Sequence, residues 1–182
     1  IYFTIDDIHP GTSDELYEAG GDLSNGVLGH VEWLLSRHPR LKVTLFVTAD
    51  WRETFPYPTR RLLSKIPYIR DQVYLSPVRK KGSMSLLRHG RFVDYLNALD
   101  RVTVGLHGLH HVSRGPNIPV ELLNKSAVEV AEIIYEMIRI FEQARLNYIP
   151  CFAPPGWECN ESIVEPLLAN NVALVMAGRD VL

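Results

Sequence analysis

A chain of 182 residues suits one domain, and 46% hydrophobic against 22% charged residues is apolar material enough to fill a core. A formal net charge of −2, with Arg79-Lys80-Lys81 as the densest basic run, offers nothing to a nucleic-acid backbone. No apolar run approaches the roughly 20 residues of a membrane span, and the two cysteines, Cys151 and Cys159, match no zinc-ligand spacing and are too few for a disulfide scaffold.

Short β-rich runs alternate with amphipathic stretches along the chain. Ile1 to Ile5, rich in β-branched and aromatic residues, reads as a first strand. Asp6 to Ala19 is too polar and too punctuated by Gly and Pro for a regular element. Ser24 or Asn25 caps a predicted helix reaching about His38, with Val27, Leu28, Val31, Leu34 and Leu35 on its apolar face and Pro39 ending it. Lys42 to Thr48 reads as a second strand, apolar enough to be buried on both faces. Trp51 to Ser85 carries Pro56, Pro58, Pro67 and Pro77 and reads as loop with short helical turns, the kind of long excursion that often serves function.

Phe92 to Leu99 reads as helix and Val102 to Leu106 as a third strand. The strongest helical pattern runs from Val120 to about Arg145, where Leu123, Ala127, Val130, Ile134, Met137 and Phe141 recur at helical spacing as a core stripe. Tyr148 to Phe152 is a fourth strand, Asn160 caps a helix through about Ala169, and Val172 to Met176 is a fifth strand. Alternation of this kind predicts an α/β fold with a parallel sheet, right-handed crossovers and an active site at the C-terminal strand ends.

The polar residues just after each strand are therefore the ones that matter. Asp6-Asp7 follows strand one, His107-Gly108-Leu109-His110-His111 follows strand three, and Ala153-Pro154-Pro155-Gly156-Trp157 follows strand four. Two adjacent carboxylates at a buried strand end repel and lose hydration, which a cation relieves; a plain turn is the alternative. His107 and His111 are four apart, the spacing at which one helical turn puts two imidazoles on one side. Two imidazoles and one carboxylate of the Asp6-Asp7 pair are a catalytic zinc set that leaves a position for water. His9 is a further ligand or a supporting partner. In the proline loop, Gly156 and Trp157 are the first residues able to donate an N–H, either into a cleft toward an oxyanion or merely within a rigid turn. Trp157 reads as a stacking face for a sugar or as core.

Taken together, these motifs resemble the metal-dependent polysaccharide deacetylases, the group that includes chitin and peptidoglycan deacetylases. Thr4-Ile5-Asp6-Asp7 is similar to their first motif, Thr44-Leu45-Phe46-Val47 to their second strand, His107 to His111 to their histidine pair, and Phe152-Ala153-Pro154-Pro155-Gly156 to their third motif. The order and spacing hold from residue 1 to about residue 180. The resemblance implies a distorted (β/α) barrel of about seven strands and hydrolytic removal of acetyl groups from a sugar or polysaccharide. It implies one divalent ion, zinc first among the candidates, on Asp7, His107 and His111. Asp6 would be the general base and Gly156 N–H the oxyanion donor, with Pro155 and Trp157 on the substrate side of the loop.

Two departures stand out. Ala153 occupies the place of an arginine that pairs with the base in the family, and no late leucine-and-histidine motif supplies a general acid before the chain stops at Leu182. A single domain over 1–182, cut short at its C-terminal end, is the expectation, with His9, His89 or His110 as alternative acids. Without an acid, an ester, whose leaving group is better than an amide's, becomes the more plausible substrate. Rival readings are a two-metal phosphoesterase and a non-catalytic sugar-binding domain using Trp157 with Trp51 or Tyr57.

Overall fold

The computed structural model of the chain describes residues 1–12, 19–53, 78–112, 121–123, 125–159 and 161–174. Among these residues, five strands form one parallel sheet: β1 (Tyr2–Ile8), β2 (Lys42–Val47), β3 (Val102–Leu106), β4 (Cys151–Phe152) and β5 (Ala173–Leu174). Their spatial order is the sequence order, β1-β2-β3-β4-β5. That order has no reversal among the described strands, whereas a doubly wound sheet reverses at a switch point. Register runs from Val43 opposite Val102 to Val47 opposite Leu106 across the two central strands.

The connecting helices are α1 (Val27–Arg37), α2 (Gly90–Ala98), α3 (Ala127–Ala144) and α4 (Val164–Ala169). The helices bury their apolar faces: Leu28, Val31 and Leu35 of the predicted stripe from α1, Phe92, Val93 and Leu96 from α2, and Val130, Ile134, Met137 and Phe141 of the predicted stripe from α3. These join Val43, Leu45, Val47, Val104, Leu106 and Phe152 of the sheet in one core. No helix among the described residues is long and apolar enough to cross a membrane.

Several boundaries differ from the sequence reading, each for a local reason. The long helix begins at Ala127 instead of Val120, because Ser126 closes a capping box. Ser126 accepts from Glu129 N–H, while the Glu129 carboxylate accepts from Ser126 N–H at 2.9 Å. Such a cap contributes about 1 kcal/mol, enough to fix the start and to release Glu121, Leu122 and Leu123 from the helix. Helix α1 starts after Gly26 with no side-chain cap, residues 23–25 forming a separate 3-10 turn. Strand β4 has only two residues, and Cys151 and Cys159 are free thiols. Asn160, the prolines between residues 54 and 77, and the end of the fifth strand beyond Leu174 lie outside the described residues.

Candidate metal centre

Strand β1 does not stop at Ile5. It continues through Asp6 and Asp7 to Ile8, and the pairing shifts on the way: Ile5 faces Leu45, but Ile8 faces Val47. Strand β1 thus takes one residue more than β2 to cover the same distance, a bulge whose extra residue is absorbed at Asp6-Asp7. Asp7 sits there at φ 56, a left-handed conformation in which aspartate is tolerated better than bulkier residues. Bulges of this kind re-aim a side chain. Here the Asp7 carboxylate is turned toward the end of β3.

There it meets both predicted imidazoles. Asp7 Oδ1 lies 2.9 Å from His107 Nε2 and 2.8 Å from His111 Nε2. Both histidines are buried, and the three ligand atoms lie within 4.8 Å of one another. The second nitrogen of His107, Nδ1, is 2.8 Å from the Ala153 carbonyl oxygen. That oxygen only accepts, so Nδ1 carries a hydrogen. In the neutral ring Nε2 is then a bare lone pair directed at a carboxylate oxygen. Two electron-rich atoms at this distance need a cation between them, either a second ring proton or a metal ion. Burial, the largest single effect, lowers His107, but the bond to Asp7, the charges of Asp7 and Asp6 and the Ala153 carbonyl together outweigh it and raise its pKa. Burial likewise tends to raise Asp7, but the nearby imidazoles, His111 foremost, bring it below the ordinary carboxylate range.

The donor set fits zinc. Two imidazoles and one carboxylate with their ligand atoms this close would hold a divalent ion and supply it with nitrogen and oxygen donors. A carbonyl on the far nitrogen of His107 is also the support that fixes a ligating imidazole's tautomer.

The histidine pair does not lie on a helical turn, contrary to the sequence expectation. Gly108 at φ 81 and His111 at φ 49 make a loop in which successive N–H groups converge. Glu121 occupies the concavity. Its carboxylate accepts from Leu109 N–H at 3.0 Å, His110 N–H at 2.8 Å and His111 N–H at 3.3 Å. The loop's carbonyls point the other way, to Ala49, Asp50 and Arg52 N–H groups beyond β2. The loop is thus held on both sides, which aligns His107 with His111. A Cβ on Gly108 would come within 2.5 Å of both Glu121 Oε2 and Pro155 Cγ, so the position also demands the smallest side chain.

Glu121 was not among the sequence candidates. It read as part of a continuous helix, although Ser126-x-x-Glu129 already marked a later start. Glu121→Ala should weaken metal binding about 10- to 100-fold, the usual effect of losing a group that orients ligands. It should also lower stability by about 2–3 kcal/mol, because buried N–H groups lose their acceptor. Metal titration and urea unfolding read the two effects, and Glu121→Gln should fall between alanine and the parent.

His9 is not one of the ligands brought together. It is fully buried, its ring stacked on Trp51 at 4.3 Å, and Trp51 stacks in turn on His111 at 4.5 Å. Trp51 is itself fully buried, so it cannot serve as an exposed sugar-binding face, contrary to that reading of the sequence; Tyr57 lies outside the described residues. His9 Nδ1 accepts from Gly11 N–H at 3.0 Å, and protonation there would destroy that bond. Burial, the larger effect, pushes the ring down to about 3 from an ordinary 6.5. The unfolded chain therefore takes up a proton as pH falls through 6.5, while the folded chain resists until about 3. Stability should fall by up to about 1.4 kcal/mol per pH unit across that window. Urea unfolding at neutral and mildly acidic pH measures the slope, and His9→Phe should flatten it.

His110 faces away from the ligand pair, its Nδ1 lying 3.1 Å from the Asp50 carbonyl oxygen and 3.3 Å from its carboxylate. His89 lies at the start of α2, on a cavity of about 570 Å³ that Arg88, Arg91 and Pro10 also line.

The proline loop completes the site. Pro155 is buried, while Gly156, at φ 68, is half-buried. Trp157 is 48% exposed, and its indole N–H donates to Asp6 Oδ2 at 2.6 Å. Asp6 and the β4 loop are thereby brought together.

Fold and site together define a class: an α/β protein whose parallel sheet gathers a carboxylate and two imidazoles into one metal-competent cluster at its C-terminal strand ends. Its solved likenesses are carbohydrate-deacetylase folds. The chain is similar to a CE4 family pseudoenzyme from Bacillus anthracis, with 16% identity and a TM-score of 0.54 over 97% of this chain and 42% of that one. It is equally similar to a mutant of that protein described as having restored enzymatic activity, with 16% identity, a TM-score of 0.55, and 97% of this chain against 44% of that one. A further mutant gives 17% identity and a TM-score of 0.53, with the same shares covered. At this identity the likeness is one of fold, the polysaccharide deacetylase or CE4 fold, and the chain spans less than half the length of those proteins. No family model and no curated protein sequence matches the chain.

Proposed function

We propose that the chain is a metal-dependent hydrolase that removes acetyl groups, N- or O-linked, from a sugar or polysaccharide, on a sheet that curls into a barrel of about seven strands. The observation that carries this reading is the sharing of Asp7 Oδ1 by two imidazole Nε2 atoms, with the remaining His107 nitrogen committed to the Ala153 carbonyl. Asp7, His107 and His111 would hold one divalent ion, zinc by the character of its donors. Bound there, the ion supplies Lewis-acid polarisation of the water and of the acetyl carbonyl.

The chain's own groups do the rest. Asp6 takes the proton of the attacking water on Oδ1, the oxygen that Trp157 leaves open. The water oxygen bonds to the acetyl carbon, and Gly156 N–H stabilises the oxyanion, a contribution of roughly 3–4 kcal/mol for a well-placed donor. The bond to the sugar nitrogen or oxygen then breaks, and the leaving atom takes up the proton that Asp6 accepted, as acetic acid departs and ionises to acetate. Neither alternative acid beside the site faces the leaving group: His9 is buried beneath Trp51, and the His110 ring is turned to Asp50.

A non-catalytic sugar-binding domain is the second reading, favoured by Ala153, which offers Asp6 no cation. The intact carboxylate–imidazole cluster weighs against it. A phosphoesterase with two ions would need further acids and imidazoles; among the described residues the metal-competent group is these three. Loading the protein with zinc and assaying acetate release from chitopentaose and from acetylated xylan decides between the readings. One ion per chain with acetate released supports the hydrolase; one ion with no acetate from either supports the binding domain.

A further inference from the structure

The β4 loop contains two consecutive left-handed residues, Gly156 at φ 68 and Trp157 at φ 58. Glycine adopts this conformation freely, whereas a bulky aromatic costs about 1–2 kcal/mol there. Something must hold Trp157 in place, and burial does not, since the residue is 48% exposed. What the conformation achieves is a contact across the sheet. The indole Nε1–H reaches back to β1 and donates to Asp6 Oδ2 at 2.6 Å, joining residues 151 positions apart. That is shorter than the usual N–H···O distance, the direction in which a charged acceptor draws such a bond. The other oxygen of Asp6 has no hydrogen bond among the described residues.

We propose that Trp157 is a positioning residue, whose indole N–H fixes the Asp6 carboxylate so that one oxygen is pinned and the other is presented for proton transfer. The proposal rests on the reading of Asp6 as general base. A carboxylate at a bulge has its own rotational freedom, and a base aimed only part of the time loses rate in proportion. An indole is well suited to hold it, since it donates once, cannot accept, and brings no charge to compete with the ion for the carboxylate. Asp6 lies next to Asp7 in the chain, so a pinned Asp6 cannot swing into the ligand position. The indole edge is thereby engaged while its face stays open, so any role in stacking on a sugar is a separate property of the same residue.

The experiment has a spectroscopic and a kinetic arm on the zinc-loaded protein. The chain has three tryptophans, so indole-¹⁵N labelling gives three Nε1–H resonances, and Trp157→Phe identifies its own by loss. In Asp6→Asn the charge-assisted bond becomes a neutral one, and that resonance should move upfield while those of Trp33 and Trp51 stay in place. In Trp157→Phe, which keeps an aromatic face but removes the donor, kcat on chitopentaose or acetylated xylan should fall about 10- to 100-fold with KM unchanged. An unshifted Trp157 resonance in Asp6→Asn overturns the proposal. So does a Trp157→Phe enzyme with raised KM and intact kcat, the signature of a stacking face alone. Absence of acetate release by the parent would sink the deacetylase reading instead, and the indole resonance would still decide whether Trp157 holds Asp6.

Discussion

Alanine at His107 or at His111 should reduce metal content from one ion per chain to none. Each substitution leaves a carboxylate and a single imidazole, too few protein ligands to retain a divalent ion against water and a chelator. His107→Ala should also cost stability by about 1–3 kcal/mol, because the Ala153 carbonyl loses its donor in a buried setting. Asp7→Ala removes the only anion of the cluster and should abolish binding equally. His110→Ala is the control: its ring is turned to Asp50, and the ion should remain. Elemental analysis after dialysis, with calorimetric titration of the stripped protein, measures all four. A His111→Ala protein that keeps one ion at the parent's affinity would dissolve the site.

Asp6→Asn should separate binding from turnover. The amide has nearly the same shape as the carboxylate, and its oxygen can still accept from Trp157, so the loop should keep its place. Asp7 and both imidazoles are untouched, and the ion should bind as before. What disappears is the ability to take a proton at neutral pH, and loss of a general base typically costs about 10²–10⁴-fold in rate. Acetate release under saturating substrate, measured beside metal content on the same preparation, gives the result. Turnover within about tenfold of the parent would remove Asp6 from the base role.

The cluster was legible because its chemistry is written in residue types at strand ends. An apolar run followed by two acids, and another followed by two imidazoles four apart, marked Asp6-Asp7, His107 and His111, and the family resemblance chose Asp7 between the acids. The means by which these meet were not legible. The spacing of the histidines suggested a helical turn, whereas the chain builds a loop around a carboxylate ten residues further on. Glu121 was hidden because helical periodicity ran through it and outweighed the Ser126-x-x-Glu129 signal, which the hydrogen bonds of Ser126 show to be the true helix start. Trp157 was readable as a face and is used by its edge. Trp51, offered as a sugar platform, is sandwiched between two imidazoles with no exposed surface.

By itself the sequence determined the alternation of strands and helices, the apolar stripes of α1 and α3, and the residue types at the C-terminal strand ends. Those are properties of local periodicity and composition, and they survive without knowledge of what packs against what. Tertiary structure alone decided the bulge that turns Asp7 inward, the capture of three loop N–H groups by Glu121, and the bond from Trp157 to Asp6. Each of these joins groups distant in the chain or satisfies a backbone donor that local pattern does not count. A donor or acceptor in a buried loop must find a partner somewhere, and which one it finds is a matter of three-dimensional proximity.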